Sequence, residues 1–218
     1  GGNIRVGCGY RSGRGLAGDG GVPGDAETAV EGWQDGKLAK LSLNPGGIDR
    51  NSFAFRDSRK PLAAQVSFNG QRLFVVVNHL NSKGGDGPLF CDVQPPNLDS
   101  ERQRTEQAKV LNTFVKQIMA IDPQANVIVM GDLNDFQWSN PLMTLQGKEL
   151  SNLIVTLPAN EQYTYIYEGN VQVLYHILVS NQLLSKFASI EIVHLNSEYY
   201  YMDRLGDHDP VVAIFDLN

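Results

Sequence analysis

The stretch Asn126–Pro141 reads NVIVMGDLNDFQWSNP and gives the strongest indication of both the fold and the site. Val127–Met130 is a continuous run of apolar, mostly β-branched residues, too short for a helix, which predicts a buried central strand. Gly131 ends this run, and Asp132 and Asn134 follow at the end of the strand. In open α/β sheets, ligands bind beyond the carboxyl ends of the strands. The stretch therefore predicts an α/β fold with a polar site at this strand end.

Asp132 and Asn134 are two positions apart, so their side chains point the same way if the chain is extended there. Their oxygens are hard ligands of the kind that Mg²⁺ or Ca²⁺ prefers. The alternative is a turn in which both side chains only hydrogen-bond the neighbouring backbone. The motif alone does not decide between these, because short motifs also occur by chance.

The length of 218 residues suits one α/β domain with its own core. Hydrophobic residues make up 42% and charged residues 19%, which is an ordinary globular balance. A net charge of −6 argues against binding of nucleic acid over a generally basic surface, but not against a local basic patch with a metal. No apolar run is long enough to span a bilayer.

The chain opens with Gly-Gly-Asn, without an initiator Met or a secretion signal. We expect that processing or truncation has removed what came before. The two cysteines, Cys8 and Cys91, either form one disulfide in an oxidising compartment or remain two unrelated thiols.

The dipeptide Asn69-Gly70 between two apolar runs is the strongest short hairpin signal, and it predicts that Ala63–Phe68 pairs with Arg72–Asn78. Ser100–Ile121 has apolar residues at helical spacing and predicts a helix capped by its first residue or by Asp99. Further strands are predicted at Asn3–Tyr10, Ala39–Leu43, Tyr163–Tyr167, Val173–Val179, Ile190–Leu195 and Val211–Phe215, and loops at Ser12–Gly24 and Gly84–Pro96.

Three of the predicted strands lead directly into polar pairs. These pairs are His79 with Asn81, Asp132 with Asn134, and Asp207 with His208. Taken singly, His79 is more often a structural histidine and Asp207 a cap. Together they predict one shared site of carboxylates, imidazoles and amides. A metal held by carboxylates and flanked by imidazoles is what hydrolysis of a phosphodiester requires.

The motifs Asn78–Lys83 (NHLNSK), Gly131–Asp135 (GDLND) and Asp207–Pro210 (DHDP) resemble, in this order, the signature of the endonuclease/exonuclease/phosphatase superfamily. The bacterial extracellular nucleases are the most similar branch, because Ser-Lys-Gly-Gly follows the histidine and Arg-Lys-Pro-Leu precedes the hairpin. The resemblance covers nearly the whole chain. It implies one α/β domain over residues 1–218, a four-layer sandwich of the deoxyribonuclease-I-like type that is incomplete at its N-terminus. It also implies an extracellular location.

The resemblance implies a role for each motif residue. His79 is similar to the histidine that contacts the scissile phosphate, and Asp132 to the aspartate that orients or deprotonates the attacking water. Asn134 is similar to the amide that binds the phosphate or the metal. Asp207 is similar to a metal-site carboxylate, and His208 to an imidazole that acts as general acid or base or stabilises the transition state. The implied metal ligands are thus Asp132, Asn134 and Asp207.

The resemblance also implies three substrate-binding residues. Arg59 is similar to the arginine that grips a backbone phosphate, in keeping with guanidinium geometry. Asn81 is the loop neighbour of His79. Lys83 adds a second phosphate contact or is a solvated loop lysine. Tyr163 and Tyr165 line a substrate groove or belong to the core.

Three departures from the family pattern stand out. The family's upstream Asn and metal-binding Glu have no counterpart here, so we expect an exposed sheet edge or an open core. Tyr175 stands where the family has an Asp that hydrogen-bonds the histidine matching His208. Its neighbour His176 is expected to be structural. Gly206 replaces a Ser before Asp207.

The sequence predicts a phosphodiesterase that depends on a divalent metal, Mg²⁺ with Mn²⁺ or Ca²⁺ as alternatives, acting as a nuclease on DNA or RNA. Two other functions stay open: hydrolysis of small or lipid phosphates, and a catalytically impaired remnant that acts as a binding module. No protein partner is indicated. Because Tyr175 cannot supply a charge and the upstream Glu is missing, we expect little nicking of plasmid by this chain alone.

Overall fold

The structure, a computed structural model, describes residues 5–11, 16–24, 26–88 and 90–218. The strands are β1 (Leu16–Gly18), β2 (Val30–Trp33), β3 (Leu38–Leu41), β4 (Gly46–Gly47), β5 (Leu62–Phe68), β6 (Gln71–His79), β7 (Asn126–Asp132), β8 (Leu150–Asn152), β9 (Tyr165–Tyr167), β10 (Asn170–Gln172), β11 (Tyr175–Ser180), β12 (Phe187–Ile192) and β13 (Val211–Phe215). The α-helices are α1 (Asp99–Ile121), α2 (Asn140–Gln146) and α3 (Asn181–Leu184).

A seven-stranded mixed sheet has the order β1-β5-β6-β7-β11-β8, with β4 added beside β5. The predicted hairpin joins β5 to β6, and its turn residues Asn69 and Gly70 have φ of 49° and 73°. Both values are positive, which Asn and Gly tolerate and the two-residue turn requires. The predicted strand around Val127–Met130 is β7, which lies between β6 and β11 in the middle of the sheet.

The register of the central strands places the site. β6 and β7 are parallel, and α1 crosses between them, so His79 is the register partner of Asp132. β11 is antiparallel to β7, and Tyr175 is the partner of Asp132 on its other side. His79, Asp132 and Tyr175 therefore form one row across three strands at one edge of the sheet.

One layer packs on each face of this sheet. α1 and α2 cover one face, where Leu111, Val115 and Ile118 of α1 are buried against β7. On the other face lies a separate two-stranded sheet of β12 and β13. Its outer residues Val212 and Ile214 remain 47% and 56% exposed, so in the described part of the chain no further layer covers them. The mixed α/β fold with a central sheet that the sequence predicts is confirmed.

Several details differ from the sequence prediction. Within the predicted strand Asn3–Tyr10, residues 5–10 form no strand, and its first two residues lie outside the described ones. No side chain of Asp99 or Ser100 caps α1; instead Asp86 accepts the N–H of Ser100 at 2.8 Å. The described parts of the predicted loops Ser12–Gly24 and Gly84–Pro96 contain no strand or helix except β1, which lies in the first. Residues 12–15, Asp25 and Leu89 lie outside the described part. Cys8 and Cys91 are free thiols.

The β2–β3 hairpin (Val30–Trp33 with Leu38–Leu41) was predicted only in its second strand. The predicted strand Tyr163–Tyr167 shortens to β9, which pairs with β10. Among the described residues, no helix has the length and apolar character that a membrane crossing requires.

Candidate active site

The predicted polar residues meet around one carboxylate oxygen. Nε2 of His79 lies 3.4 Å from Oδ2 of Asp132, and Nε2 of His208 lies 3.8 Å from the same oxygen. Oδ2 of Asp207 is 3.9 Å from Nε2 of His208. Asn134 donates its backbone N–H to the other oxygen of Asp132 at 3.0 Å. The structure thus brings the five residues of the three motifs together, while their catalytic roles stay predictions.

The backbone after β7 holds Asp132 firmly in place. Leu80 donates its N–H to the carbonyl of Asp132 at 2.9 Å, which continues the pairing with β6. Gly131 has a φ of 132°, and a Cβ there would collide with the carbonyl oxygen of Asn78. Asn134 adopts a φ of 52° and donates its side-chain amide to the carbonyl of Leu80 at 3.1 Å. The side chain of Asn134 is therefore part of the wall of the site.

Burial shifts the pKa values of Asp132 and His79 in opposite directions. It raises the pKa of Asp132 to about 7, and the Asp207 carboxylate adds to this, while the Asn134 hydrogen bond and the Arg59 charge oppose it. Burial, followed by the positive charges of Arg59 and His208, lowers the pKa of His79 to about 4. Near pH 7 His79 is therefore neutral and Asp132 exchanges a proton readily, so their contact is not an ion pair.

The imidazole of His208 lies between two tyrosine rings. Its centroid is 4.6 Å from that of Tyr165 and 4.6 Å from that of Tyr175, with interplanar angles of 14° and 11°. Nδ1 of His208 is buried and has no hydrogen-bond partner in the described part of the protein. Burial lowers the pKa of His208, against the charges of Asp207 and Asp209. The neutral imidazole of His208 is therefore packed between the rings of Tyr165 and Tyr175.

Tyr175, which stands where the family has an Asp, stacks its ring on that of His208. Burial, with the charges of Asp132 and Asp207, raises the pKa of Tyr175 to about 12. Tyr175 therefore stays neutral and cannot replace a carboxylate as the partner of Nδ1.

Arg59 is the cation that faces this cleft. Its charge acts on both His79 and Asp132. The residue is partly exposed, and its guanidinium makes no hydrogen bond or ion pair within the described residues. An unpaired guanidinium beside the cleft is suited to a phosphate.

Lys83 and Asn81 are engaged by the protein itself. The ammonium of Lys83 binds Oδ1 of Asp135 at 3.2 Å and lies 4.7 Å from the centroid of Phe136. The backbone N–H of Asn81 donates to Gln107 at 2.9 Å. The phosphate contacts predicted for both residues stay predictions.

A buried ion pair supports the site and was missed in the sequence. Arg104 has no exposed surface, and its Nε donates to Oδ2 of Asp135 at 2.8 Å. The same guanidinium donates to the carbonyls of Asn81 and Ser82 at 3.4 and 3.2 Å. Arg104 precedes Ala108 by four residues and so lies on the apolar face of α1. This position was the sequence signal that could have indicated a buried arginine.

His176 is a structural histidine, as expected. It is 1% exposed, and its Nδ1 lies 3.0 Å from the amide nitrogen of Asn152. Since that amide can only donate, Nδ1 accepts and the protonated Nε2 donates to the carbonyl of Asp135 at 2.9 Å. Burial lowers the pKa of His176 to about 4.

A second polar cluster holds the segment before His208. Oδ2 of Asp209 is 2.9 Å from Nδ1 of His194, whose ring stacks on Tyr163 at 4.1 Å. Asp209 also accepts the backbone N–H groups of Asn196 and Ser197, each at 2.9 Å. Burial would raise the pKa of Asp209, but these hydrogen bonds lower it below its ordinary value. Asp209 lies in the DHDP motif, yet its anchoring role was not predicted.

The described residues do not complete a metal site. Among them, no three His, Cys, Asp or Glu side chains converge closely enough to hold a cation. Asp132 and Asp207 are the two carboxylates beside His208, and Asp207 is largely exposed. The ligand set predicted from the resemblance is therefore only partly supported by the residues present.

Comparisons with known proteins identify the family and the fold of this chain. The Endonuclease/Exonuclease/phosphatase family matches residues 47–209. Truncated TDP2 of Caenorhabditis elegans has a TM-score of 0.55 at 17% identity, covering 86% of this chain and 64% of that one. D. rerio TDP2 complexed with single strand DNA product has a TM-score of 0.51 at 20% identity, covering 72% and 61%. An AP endonuclease from Archaeoglobus fulgidus has a TM-score of 0.52 at 12% identity, covering 71% and 65%.

The chain spans less than two thirds of the length of each of these solved chains. Their low identity supports the fold alone, and the deoxyribonuclease-I-like fold is confirmed by them. No curated protein shows significant sequence similarity to this chain. The family match covers most of the chain, including the first two motifs and Asp207–Asp209 of the third, and the chain belongs to the endonuclease/exonuclease/phosphatase family.

Proposed function

We propose that this chain forms the centre of a phosphodiester hydrolase whose substrate is nucleic acid, DNA or RNA. The observation that carries this proposal is the approach of His79 and His208 to one oxygen of Asp132, at 3.4 and 3.8 Å. Hydrolysis needs a group that takes a proton from water and groups that hold the phosphate oxygens. The three side chains stand close enough together to act on one phosphate.

Each residue has a role that its environment supports. Asp132, with its pKa raised to about 7, accepts the proton of the attacking water near neutral pH. Arg59 binds the phosphate charge, and the neutral imidazole of His79 donates a hydrogen bond to a phosphate oxygen. His208, held between Tyr165 and Tyr175, stabilises the transition state, and Asn134 supports the phosphate or cation.

The family resemblance implies a divalent cation, Mg²⁺ or alternatively Mn²⁺ or Ca²⁺. Its proposed ligands are Asp132, Asn134 and Asp207, and it would supply charge stabilisation on the phosphate. The described residues give an incomplete ligand set for it. We expect any binding of such a cation by this chain to be weak.

The neighbour that contains a single-strand DNA product supports nucleic acid as the substrate, and an extracellular location is proposed on resemblance alone. A second function, a binding module with impaired catalysis, is favoured by Tyr175, which stacks on His208 where a carboxylate is expected. Hydrolysis of small or lipid phosphates remains the further alternative.

Tyr175→Asp is expected to raise the rate of plasmid nicking in Mg²⁺ or Mn²⁺ by about tenfold or more. A carboxylate beside the unpartnered Nδ1 of His208 fixes its tautomer and stabilises the imidazolium, an effect worth on the order of 10⁴ in serine proteases. Adding Asp132→Ala to the same chain should remove the gained activity.

Tyr175→Asn is the matched control, because it also removes the ring but brings no charge. Equal nicking by the Asp and Asn variants would contradict the proposed role of His208. Efficient nicking by the unchanged chain would show that the site is already complete.

Arg59→Ala is expected to weaken the binding of nucleic acid and to reduce the salt dependence of binding by about one counterion, as a lost phosphate contact should. The measurement is the dissociation constant of a fluorescent oligonucleotide over a range of salt concentrations. Arg56→Ala is a suitable control, since Arg56 is an exposed arginine three residues away that pairs with Asp57 at 3.5 Å. An unchanged salt slope for Arg59→Ala would show that Arg59 is structural.

A further inference from the structure

The segment Tyr199–Leu205, here called the tyrosine loop, exposes an unusual amount of apolar surface. Three consecutive tyrosines are 55%, 85% and 78% exposed, followed by Met202 at 87% and Leu205 at 97%. A contiguous apolar patch of this kind on a protein surface marks a binding site more often than chance. The site proposed above does not use it.

The loop has a rigid stem. Oδ1 of Asn196 accepts the N–H groups of Leu205 and Gly206 at 3.1 and 3.3 Å, and its amide donates to the carbonyl of His208 at 2.7 Å. Asn196 is in turn held by Asp209, and both side chains are buried. Buried and satisfied polar groups thus hold an apolar tip out in solvent, which fold stability does not require.

The loop adjoins the candidate active site. It leads through Gly206 directly into Asp207 and His208. The guanidinium of Arg204 lies 5.3 Å from the centroid of Tyr201, and its charge also acts on Tyr165, which stacks on His208. Arg204 therefore connects the exposed rings with the tyrosine that holds the catalytic imidazole.

We propose that the tyrosine loop stacks against unpaired bases of a single-stranded nucleic acid whose phosphate lies at Asp132 and His208. This inference rests on the proposed function. Tyrosine rings stack on any base, and an arginine beside them adds a cation–π contact and a phosphate contact. In a duplex the base faces are already stacked on each other, so rings of this kind select single strands.

The charges of the loop argue for bases over a lipid surface. Within the loop Asp203 balances Arg204 and there is no lysine, and the acidic residues Glu198 and Asp207 flank it. Peripheral membrane attachment relies on basic residues beside the apolar ones. Stacking on neutral base faces does not need an excess of positive charge.

The test is the affinity for a short, 5′-fluorescein-labelled oligodeoxythymidylate, measured by anisotropy in EDTA so that no hydrolysis occurs. The double variant Tyr200→Ala/Tyr201→Ala should bind at least about tenfold more weakly, whereas Tyr200→Phe/Tyr201→Phe should bind like the unchanged chain. Thermal melting of each variant confirms folding.

Trp33→Ala is the matched control. Trp33 is a 44% exposed aromatic residue whose ring contacts the guanidinium of Arg72. Arg72 is seven positions before His79 on β6, about 23 Å along the strand. Its replacement should leave the affinity unchanged.

Equal affinity of the unchanged chain and the double alanine variant would overturn the proposal. So would binding to phosphatidylcholine vesicles that depends on the loop while oligonucleotide binding does not. Because this measurement involves no hydrolysis, failure of Tyr175→Asp to nick plasmid would count against the proposed activity alone. Loss of the loop dependence would count against stacking alone.

Discussion

Replacing Asp132 with asparagine is expected to stabilise the folded protein by roughly 3 kcal/mol above about pH 7 while abolishing any hydrolysis. Asp132 is buried, and its carboxylate lies beside the backbone N–H of Asn134 and the neutral imidazoles of His79 and His208. Its ionised form is therefore poorly compensated in the folded state. Asparagine keeps the shape and the acceptor for Asn134 and removes the charge.

The direction of the pH dependence follows from the shift itself. The pKa of Asp132 rises from 3.8 to about 7 on folding, so the folded state holds a proton that the unfolded state has lost between these values. The cost of ionising Asp132 is absent below the lower value, grows between them and is complete above the upper value. The advantage of Asp132→Asn should follow the same course.

The measurement is urea unfolding of both proteins in EDTA, at about pH 4.5 and about pH 8, with the difference in free energy of unfolding compared between them. The other titrating groups are common to both proteins and cancel. A difference that is independent of pH, or a loss of stability at the higher pH, would contradict the environment described for Asp132.

The same substitution three residues later should have the opposite effect. Asp135→Asn is expected to destabilise the protein by roughly 3–5 kcal/mol, because it leaves the fully buried Arg104 without its closest carboxylate. The remaining carboxylate, on Asp86, is 3.6 Å from Nη2 of Arg104 and already accepts two hydrogen bonds from Ser100.

Urea unfolding at about pH 8 also tests this second prediction. Lys83→Met is the control, because Lys83 contacts the same carboxylate from a partly exposed position and should cost at most about 1 kcal/mol. If Asp135→Asn and Lys83→Met cost equally little, the pair of Arg104 and Asp135 does not stabilise the loops of the site.

Local signals were enough to predict the central part of the fold. Asn69-Gly70 gave the hairpin, the β-branched run gave β7, and the helical spacing after Ser100 gave α1 to within one residue of its start. The motifs after β6 and β7 were expected to meet, because parallel neighbours end at the same edge of a sheet. Asp207 and His208 were expected to follow a strand as well, and this was wrong, because they lie in the loop that precedes β13.

Contacts between distant segments could not be read in the same way. The stacking of Tyr165 and Tyr175 on His208 joins β9, β11 and the segment before β13, and no spacing along the chain encodes it. The pairing of Arg104 with Asp135 likewise depends on how α1 packs against the loop after β7. Residues 5–10 of the predicted strand Asn3–Tyr10 form no strand, because a short run of residues does not by itself supply a neighbouring strand for pairing.

The row of His79, Asp132 and Tyr175 has a consequence for how substitutions act on the site. Backbone hydrogen bonds fix the three positions side by side, whatever side chains they carry. A substitution at position 175 therefore alters the chemistry of the neighbouring His208 imidazole without changing the strand register. The same strand register can therefore carry either a carboxylate or an aromatic ring beside that imidazole.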